Sequence, residues 1–197
     1  MKKMFSSWAP ALIGFVMIGF TSNAQNAVVA KSDNIPPSVD YSPKTGGSSA
    51  SDIVVVTSTL RDNGTLTNAF KAAGMENSLK AKGPFTVFAP SNIAFGKLPA
   101  GFVEQLMKPE NSDKLAKILS YHVIAGKMDI NSVRQAIKAG HGKAEFTTLC
   151  GNKLIASIED NKIKLTDDGD NSCFITISDL HASNGIIHVL DKVALPR

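Results

Sequence analysis

Apolar residues recur with a helical period through the middle of the chain and with an alternating period towards its end, and this change of rhythm separates two kinds of element. Leu66, Ala69, Phe70 and Ala73 share one helical face, with Thr65 placed to cap it and Gly74 to stop it. Phe102, Val103, Leu106 and Met107 form a second stripe, and Leu115, Ile118, Leu119 and His122 a third after the break near Pro109. Asp129 is positioned to cap a further helix that turns Ile130, Val133 and Ile137 inward. Phe85, Val87 and Phe88 lie in a short extended run between Pro84 and Pro90, after which Ser91 or Asn92 can cap the turn carrying Ala94 and Phe95. Residues 144–149, 153–158, 162–165, 173–177 and 186–193 read as short strands, with a hairpin connection at 159–161 and a polar turn at 167–171. Ile53, Val54, Val55 and Val56 favour strand by β-branching, while their place ahead of a run of helices leaves a helix open. The pattern predicts an α+β domain, with helices packed on or beside a small, mainly antiparallel sheet or sandwich.

The front of the chain follows another logic. Lys2 and Lys3 precede a largely apolar run over residues 9–20, and Ser22, Asn23 and Ala24 supply the small residues of a cleavage site, so residues 1–24 read as a secretory signal peptide. The apolar run is shorter than the roughly 20 residues a spanning helix needs, which predicts no membrane span in the mature chain. No cysteine follows that run, which counts against a lipid anchor. Residues 25–50, rich in Ser, Pro, Gly and Asn and without an apolar period, read as a disordered linker. Residues 51–197 then make one domain of ordinary size, secreted or periplasmic.

Charge and composition exclude more than they assign. The 21 basic and 17 acidic residues give a net charge of +4, about +2 without Lys2 and Lys3, and the signs are mixed along the chain. No basic stripe interleaves with aromatics, so nucleic acid is not an expected partner. His141 sits between glycines, and His181 and His188 have no nearby Cys or carboxylate cluster, so neither a metal nor another cofactor is expected. Ser178, Asp179 and His181 lack a nucleophile elbow, and no catalytic residue is assigned. Asn63, Gly64 and Thr65 fit a glycan acceptor as well as a turn and helix start. Cys150 and Cys173 are the only cysteines; the leader directs them to an oxidising compartment and both border strands, which predicts a disulfide between them.

Three stretches together resemble the fasciclin-like (FAS1, or beta-Ig-H3) family. Residues 83–95 (GPFTVFAPSNIAF) are similar to its first block, Tyr121-His122 to its central pair, and residues 184–196 (NGIIHVLDKVALP) to its second block, in family order across nearly the whole predicted domain. Ile93 stands where the first block often carries a polar or acidic residue. The resemblance implies two small β-sheets in a wedge or sandwich with a cluster of short helices. It marks Phe85, Val87, Phe88, Tyr121, His122, Asn184, Gly185, His188 and Asp191 as structural motif positions. It further implies a noncatalytic, exported module related to adhesion, whose partner is a protein or an extracellular matrix component, and it links the Tyr121-His122 region with adhesion-receptor recognition in animal relatives.

The residues give their own reading of these positions. His122 is in phase with Leu115, Ile118 and Leu119, and His188 with Ile186 and Leu190, so both histidines face the core and need hydrogen-bond partners there. The alternative is a small-ligand carrier or an enzyme with a pocket near Tyr121, His122 and His188. Asn184 and Gly185 predict a turn feeding the last strand, with Gly185 supplying backbone angles denied to larger residues, and Asp191 is placed to bond local backbone or to answer Lys192.

Overall fold

The computed structural model describes residues 51–80 and 83–197; the predicted signal peptide and linker lie outside the described residues. The helices are α1 (Ile53–Thr59), α2 (Gly64–Ala72), α3 (Glu76–Lys80), α4 (Asn92–Gly96), α5 (Phe102–Leu106), α6 (Ser112–Tyr121) and α7 (Ile130–Ala139). The strands are β1 (Phe85–Pro90), β2 (Val123–Ala125), β3 (Lys143–Thr147), β4 (Lys153–Glu159), β5 (Lys162–Thr166), β6 (Ser172–Ala182) and β7 (Gly185–Leu190). Among the described residues these strands form a single sheet in the order β2-β1-β7-β6-β5-β4-β3. Ile124 bridges Thr148, and the Leu149 amide donates to the Val123 carbonyl at 2.8 Å, so the end strands meet and the sheet nearly closes into a barrel.

The α+β class is the one the hydrophobic rhythm predicts, but the pairing joins all strands in one sheet. Strand β6 makes the join: it is 11 residues long, pairs with β5 through Ser172, Cys173 and Phe174, and pairs with β7 through Ile175 to Ala182. Two register shifts along it, between Ile175 and Ile177 and between Ile177 and Leu180, bend the strand.

Strands β1 and β7 lie side by side and parallel in the interior of the sheet, in the register Phe85↔Gly185 to Pro90↔Leu190. All six residues of β7 are buried, as are residues 86–90 of β1. Parallel strands covered on both faces read as continuous apolar runs, which is why His188 is the only break in the last strand. One face of the pair, with Val87, Ala89 and Ile187, packs with Ile53, Leu66, Phe70, Leu79, Leu115 and Leu119 of the helices. The other face, with Phe88 and Leu190, points inside the curled sheet to Tyr121, Val133, Ile137, Leu154, Ile163 and Leu165. Phe85 is half-buried against the helical core.

The local expectations divide between those settled nearby and those changed by contacts distant in sequence. Residues 53–56 are helical because Asp52 caps Val55 at 2.9 Å and the helix turns Ile53, Val54, Val56 and Thr57 into the protein. Thr65 is no cap: it lies inside α2, and its amide is bonded at 3.0 Å by the Asn92 side chain from the start of α4. Ser91, by contrast, caps α4 through the Ala94 amide at 3.1 Å, and Asp129 caps α7 through the Ser132 amide at 2.7 Å. Asn63 is 1% exposed, so the glycan-acceptor reading does not suit the folded domain.

The predicted disulfide is overturned: both cysteines are free. Cys150 lies in the β3–β4 turn with its sulfur 3.2 Å from Thr148 Oγ1, whereas Cys173 on β6 faces the inner core in register with Leu165. Strand β5 lies between β4, where that turn ends, and β6 in the sheet order; Cys150 packs at the edge of the inner core that buries Cys173, but the two sulfurs face different partners, Thr148 and the Leu165 carbonyl. Burial pushes the Cys173 thiol up to about 12, holding it protonated.

Gly185 is required for space and not for an unusual backbone angle. It is not among the positive-φ residues, but a Cβ there would sit 2.2 Å from the Phe85 carbonyl oxygen and 2.8 Å from Ile53 Cδ1. Gly185→Ala should therefore destabilise by about 2 kcal/mol or more through overpacking. Gly64→Ala, at a helical position with nothing within 4 Å of the added methyl, should gain about 0.5 kcal/mol. Phe88→Ala, which empties a fully buried site, should cost about 3–5 kcal/mol. Urea unfolding of the three variants checks all of these, and a loss below about 1 kcal/mol for Phe88→Ala would remove that side chain from the core.

Candidate functional site

The polar side chains singled out by the sequence converge on the inner core, where the end of α6, strand β7 and residues 193–197 meet. Helix α6 ends at Tyr121, and His122 follows as its C-terminal cap residue. Tyr121 is 0% exposed; its hydroxyl donates to the Lys153 carbonyl at 2.8 Å and accepts the Asp168 amide at 3.1 Å. Burial, reinforced by the nearby Asp168 carboxylate, pushes that hydroxyl above its ordinary range, so it stays a neutral donor. Beside it, the His122 ring stands edge-on at 6.3 Å between centroids.

His122 has a fixed tautomer. The Ala194 amide donates to Nε2 at 3.1 Å, so Nε2 carries no proton, and Nδ1–H must donate to the Ile118 carbonyl at 2.8 Å. His188 is set the other way round. The Asp179 amide donates to Nδ1 at 3.3 Å, and Nε2–H donates to the Met128 carbonyl at 2.9 Å. Its ring is stacked on Phe88, its register partner on β1, at 5.7 Å. Both rings are neutral and both nitrogens of each are engaged by backbone, which removes the partners that acid–base chemistry would need.

The sequence reading missed the residue that closes this region. Asp167 is 5% exposed, and its Oδ1 accepts the Gly169 and Asn171 amides at 2.8 and 2.9 Å, which shapes the β5–β6 turn. Its Oδ2 accepts the Leu195 amide at 3.0 Å and so pins the segment after β7. The pattern Asp-x-Gly-x-Asn was visible as a turn, but its second partner lies 28 residues away. Asn152 extends the network by donating to the Asp168 carboxylate.

The remaining motif residues also bond backbone across the fold. Asn184 Oδ1 accepts the Ile53 amide at 3.0 Å and its Nδ2 donates to the Leu79 carbonyl at 2.6 Å, while its own carbonyl accepts the Phe85 amide at 3.0 Å. Asn184 thus ties α1, α3 and β1 to the β6–β7 turn. Asp191 does not answer Lys192: its Oδ1 accepts the Phe174 amide at 2.7 Å, and its Oδ2 lies 3.6 Å from Lys97 Nζ.

The alternative of a pocket near Tyr121, His122 and His188 finds no opening, since the three are 0%, 2% and 0% exposed. The two surface depressions described lie elsewhere: one is lined by Arg134, Ile137, Lys138, His141, Gly142 and Ile158, the other by residues of α5, α6 and the segment after β7. Among the described residues no group of three or more His, Cys, Asp or Glu could hold a metal ion, and no helix is long and apolar enough to cross a membrane.

Acid should act on the histidines in one direction. Burial lowers the His122 pKa from 6.5 to about 4, against opposing help from the Ile118 carbonyl and the Asp167 carboxylate, and burial lowers that of His188 as well. The unfolded chain therefore binds protons near pH 6.5 that the folded chain refuses, and stability falls as pH drops from 6.5 towards 4. His122 alone should account for about 3 kcal/mol across that window. His122→Gln, which does not titrate, should be less stable than the native chain at pH 8 but lose less between pH 6.5 and 4.5, as read by urea unfolding; parallel pH profiles would refute the assignment.

Comparison with known proteins agrees with this architecture. The Fasciclin domain family model matches residues 62–196. Protein sll1483 of Synechocystis sp. is 39% identical over 189 residues, covering 95% of this chain and 97% of that protein. Human periostin is 30% identical over 135 residues, which span 66% of this chain and 14% of periostin. Among solved structures, a FAS1 domain pair from the insect cell adhesion molecule Fasciclin I superposes with a TM-score of 0.54 at 20% identity, covering 67% of this chain and 45% of that one, a likeness of fold. With its two blocks paired side by side within the sheet and the tyrosine–histidine pair sealed beside them, the chain belongs to the Fasciclin domain family.

Proposed function

We propose that this protein is a noncatalytic exported interaction module, related to adhesion, that binds a protein or extracellular matrix component through its surface loops and helix edges. The observation that carries this reading is the use made of Tyr121, His122 and His188: every polar atom of the three is taken up by backbone in the interior. Side chains spent in this way hold a surface in place and leave recognition to what is exposed. Family membership supports the same class, and the insect relative of like fold is named a cell adhesion molecule.

The proposed layout is a signal peptide over residues 1–24, a linker over 25–50 and the interaction domain over 51–197, secreted or periplasmic. The Tyr121-His122 pair then acts by positioning: it fixes the end of α6 against residues 193–195, and a partner meets the surface above it. We also read the two halves of the sheet, either side of the bend in β6, as the two limbs of the wedge implied by the family resemblance.

Affinity capture with the full exported chain, from the exported fraction of its own cells, tests this reading. A saturable protein or matrix partner should be retained by the native chain and lost on unfolding. Turnover of a small substrate at Tyr121, His122 or His188, with no macromolecule retained, would overturn it.

A further inference from the structure

The hollow between the end of α7 and the β4–β5 hairpin carries an inference about what the module binds. Along β4, Leu154 and Ala156 point to the inner core and are buried. Ile158 continues the same alternation and pairs with buried Ile163, yet it is 44% exposed. Helix α7, which covers this face through Val133 and Ile137, stops at Ala139 and leaves the last apolar position of the row open. The resulting hollow is about 600 Å³.

Two cations stand on its rim. Arg134 and Lys138 line it together with His141, Ile137, Gly142 and Ile158, and no carboxylate is among the lining residues. The Arg134 guanidinium is held in place by the Asn161 carbonyl at 2.9 Å, on a turn where Asp160 and Asn161 both have positive φ. Of the two acidic residues of the hairpin, Glu159 is paired with Lys164 at 2.6 Å, and Asp160 lies at the turn outside the lining. The ion pairs among the described residues join Lys97 to Asp191, Lys153 to Glu145 and Lys164 to Glu159, so the rim cations take no part in them. The C-terminal carbonyls of α7 are answered internally, Ala136 by Gly140, Ile137 by Gly142 and Lys138 by His141.

We propose that this hollow is a docking site for an acidic peptide segment that carries an apolar side chain, the carboxylates meeting Arg134 and Lys138 and the apolar group covering Ile158. Charge complementarity selects an anion, and the apolar floor selects a peptide over an acidic polysaccharide, which has no apolar group to place there. The proposal rests on the reading of the protein as a protein-binding module and names the chemistry of its partner.

The test is a titration of the full chain, labelled for backbone amide shifts, with a short capped peptide alternating glutamate and leucine. Shifts should concentrate at residues 134–142 and 158–161, and Lys138→Glu and Ile158→Asp should each weaken binding by roughly tenfold or more. Because Arg134 also braces the hairpin turn, Lys138→Glu is the decisive variant, its fold checked by the same spectrum. Equal binding of a lysine–leucine peptide, or no change in Lys138→Glu, would overturn the proposal. So would binding here by a heparin fragment or by phosphatidylglycerol vesicles in place of the peptide. If a macromolecular partner is captured by the native chain and by Lys138→Glu alike, this site fails while the broader reading stands; if the peptide binds here but no macromolecule is captured, the broader reading fails instead.

Discussion

The parallel pairing of β1 with β7 is the constraint on which the rest of the structure depends. It brings together two segments about a hundred residues apart and buries both faces of each, so one side needs a cover of helices and the other a curled sheet. The short helices of the first half meet the first requirement, since none has enough apolar surface to stand alone. The meander from β3 to β6 meets the second by folding back until its end reaches β2. The close approaches of Gly185 to the Phe85 carbonyl and of Gly83 to the Asn184 carbonyl mark how tightly the pair begins.

Polar residues inside such a structure are tolerated where they complete backbone that the sheet cannot. The ends of α6 and α1, the loop before α7 and the segment after β7 all present amides or carbonyls to the interior. Asn184, His122, His188 and Asp167 answer them. This explains how two histidines and a tyrosine can sit together beside an acidic turn and still perform no chemistry. Their donors and acceptors point at main chain, and their ionisation is opposed by burial.

What the sequence made legible follows from the range of each interaction. The stripes that became α2, α6 and α7, the caps at Ser91 and Asp129, and most strands of the second half are specified within a few residues, and their periods could be read directly. What it hid is long-range. The β-branched residues of α1 were ambiguous because packing, not propensity, decided them. Asn92 could not be seen as the partner of the Thr65 amide, nor Asp167 as the anchor of Leu195, because nothing local distinguishes them from ordinary turn residues. The cysteines misled for the same reason: bordering strands is not adjacency, and the sheet order separates them. At the candidate site, the in-phase histidines announced burial, while the exposed Ile158 looked in sequence like any other core residue of a strand.

The position of β7 also sets the order in which the domain can be made. A sheet in which residues 185–190 hold the interior place between β1 and β6 stays incomplete until those residues are available, and the β1–β7 contacts are of high sequence separation. During synthesis the helices of the first half lack the completed strand pair they pack against until β7 emerges. The helical layer is thereby left incomplete through most of elongation. Under the export proposed above, a secretory channel would thread polypeptide whose own topology postpones completion of the sheet until the last strand has passed.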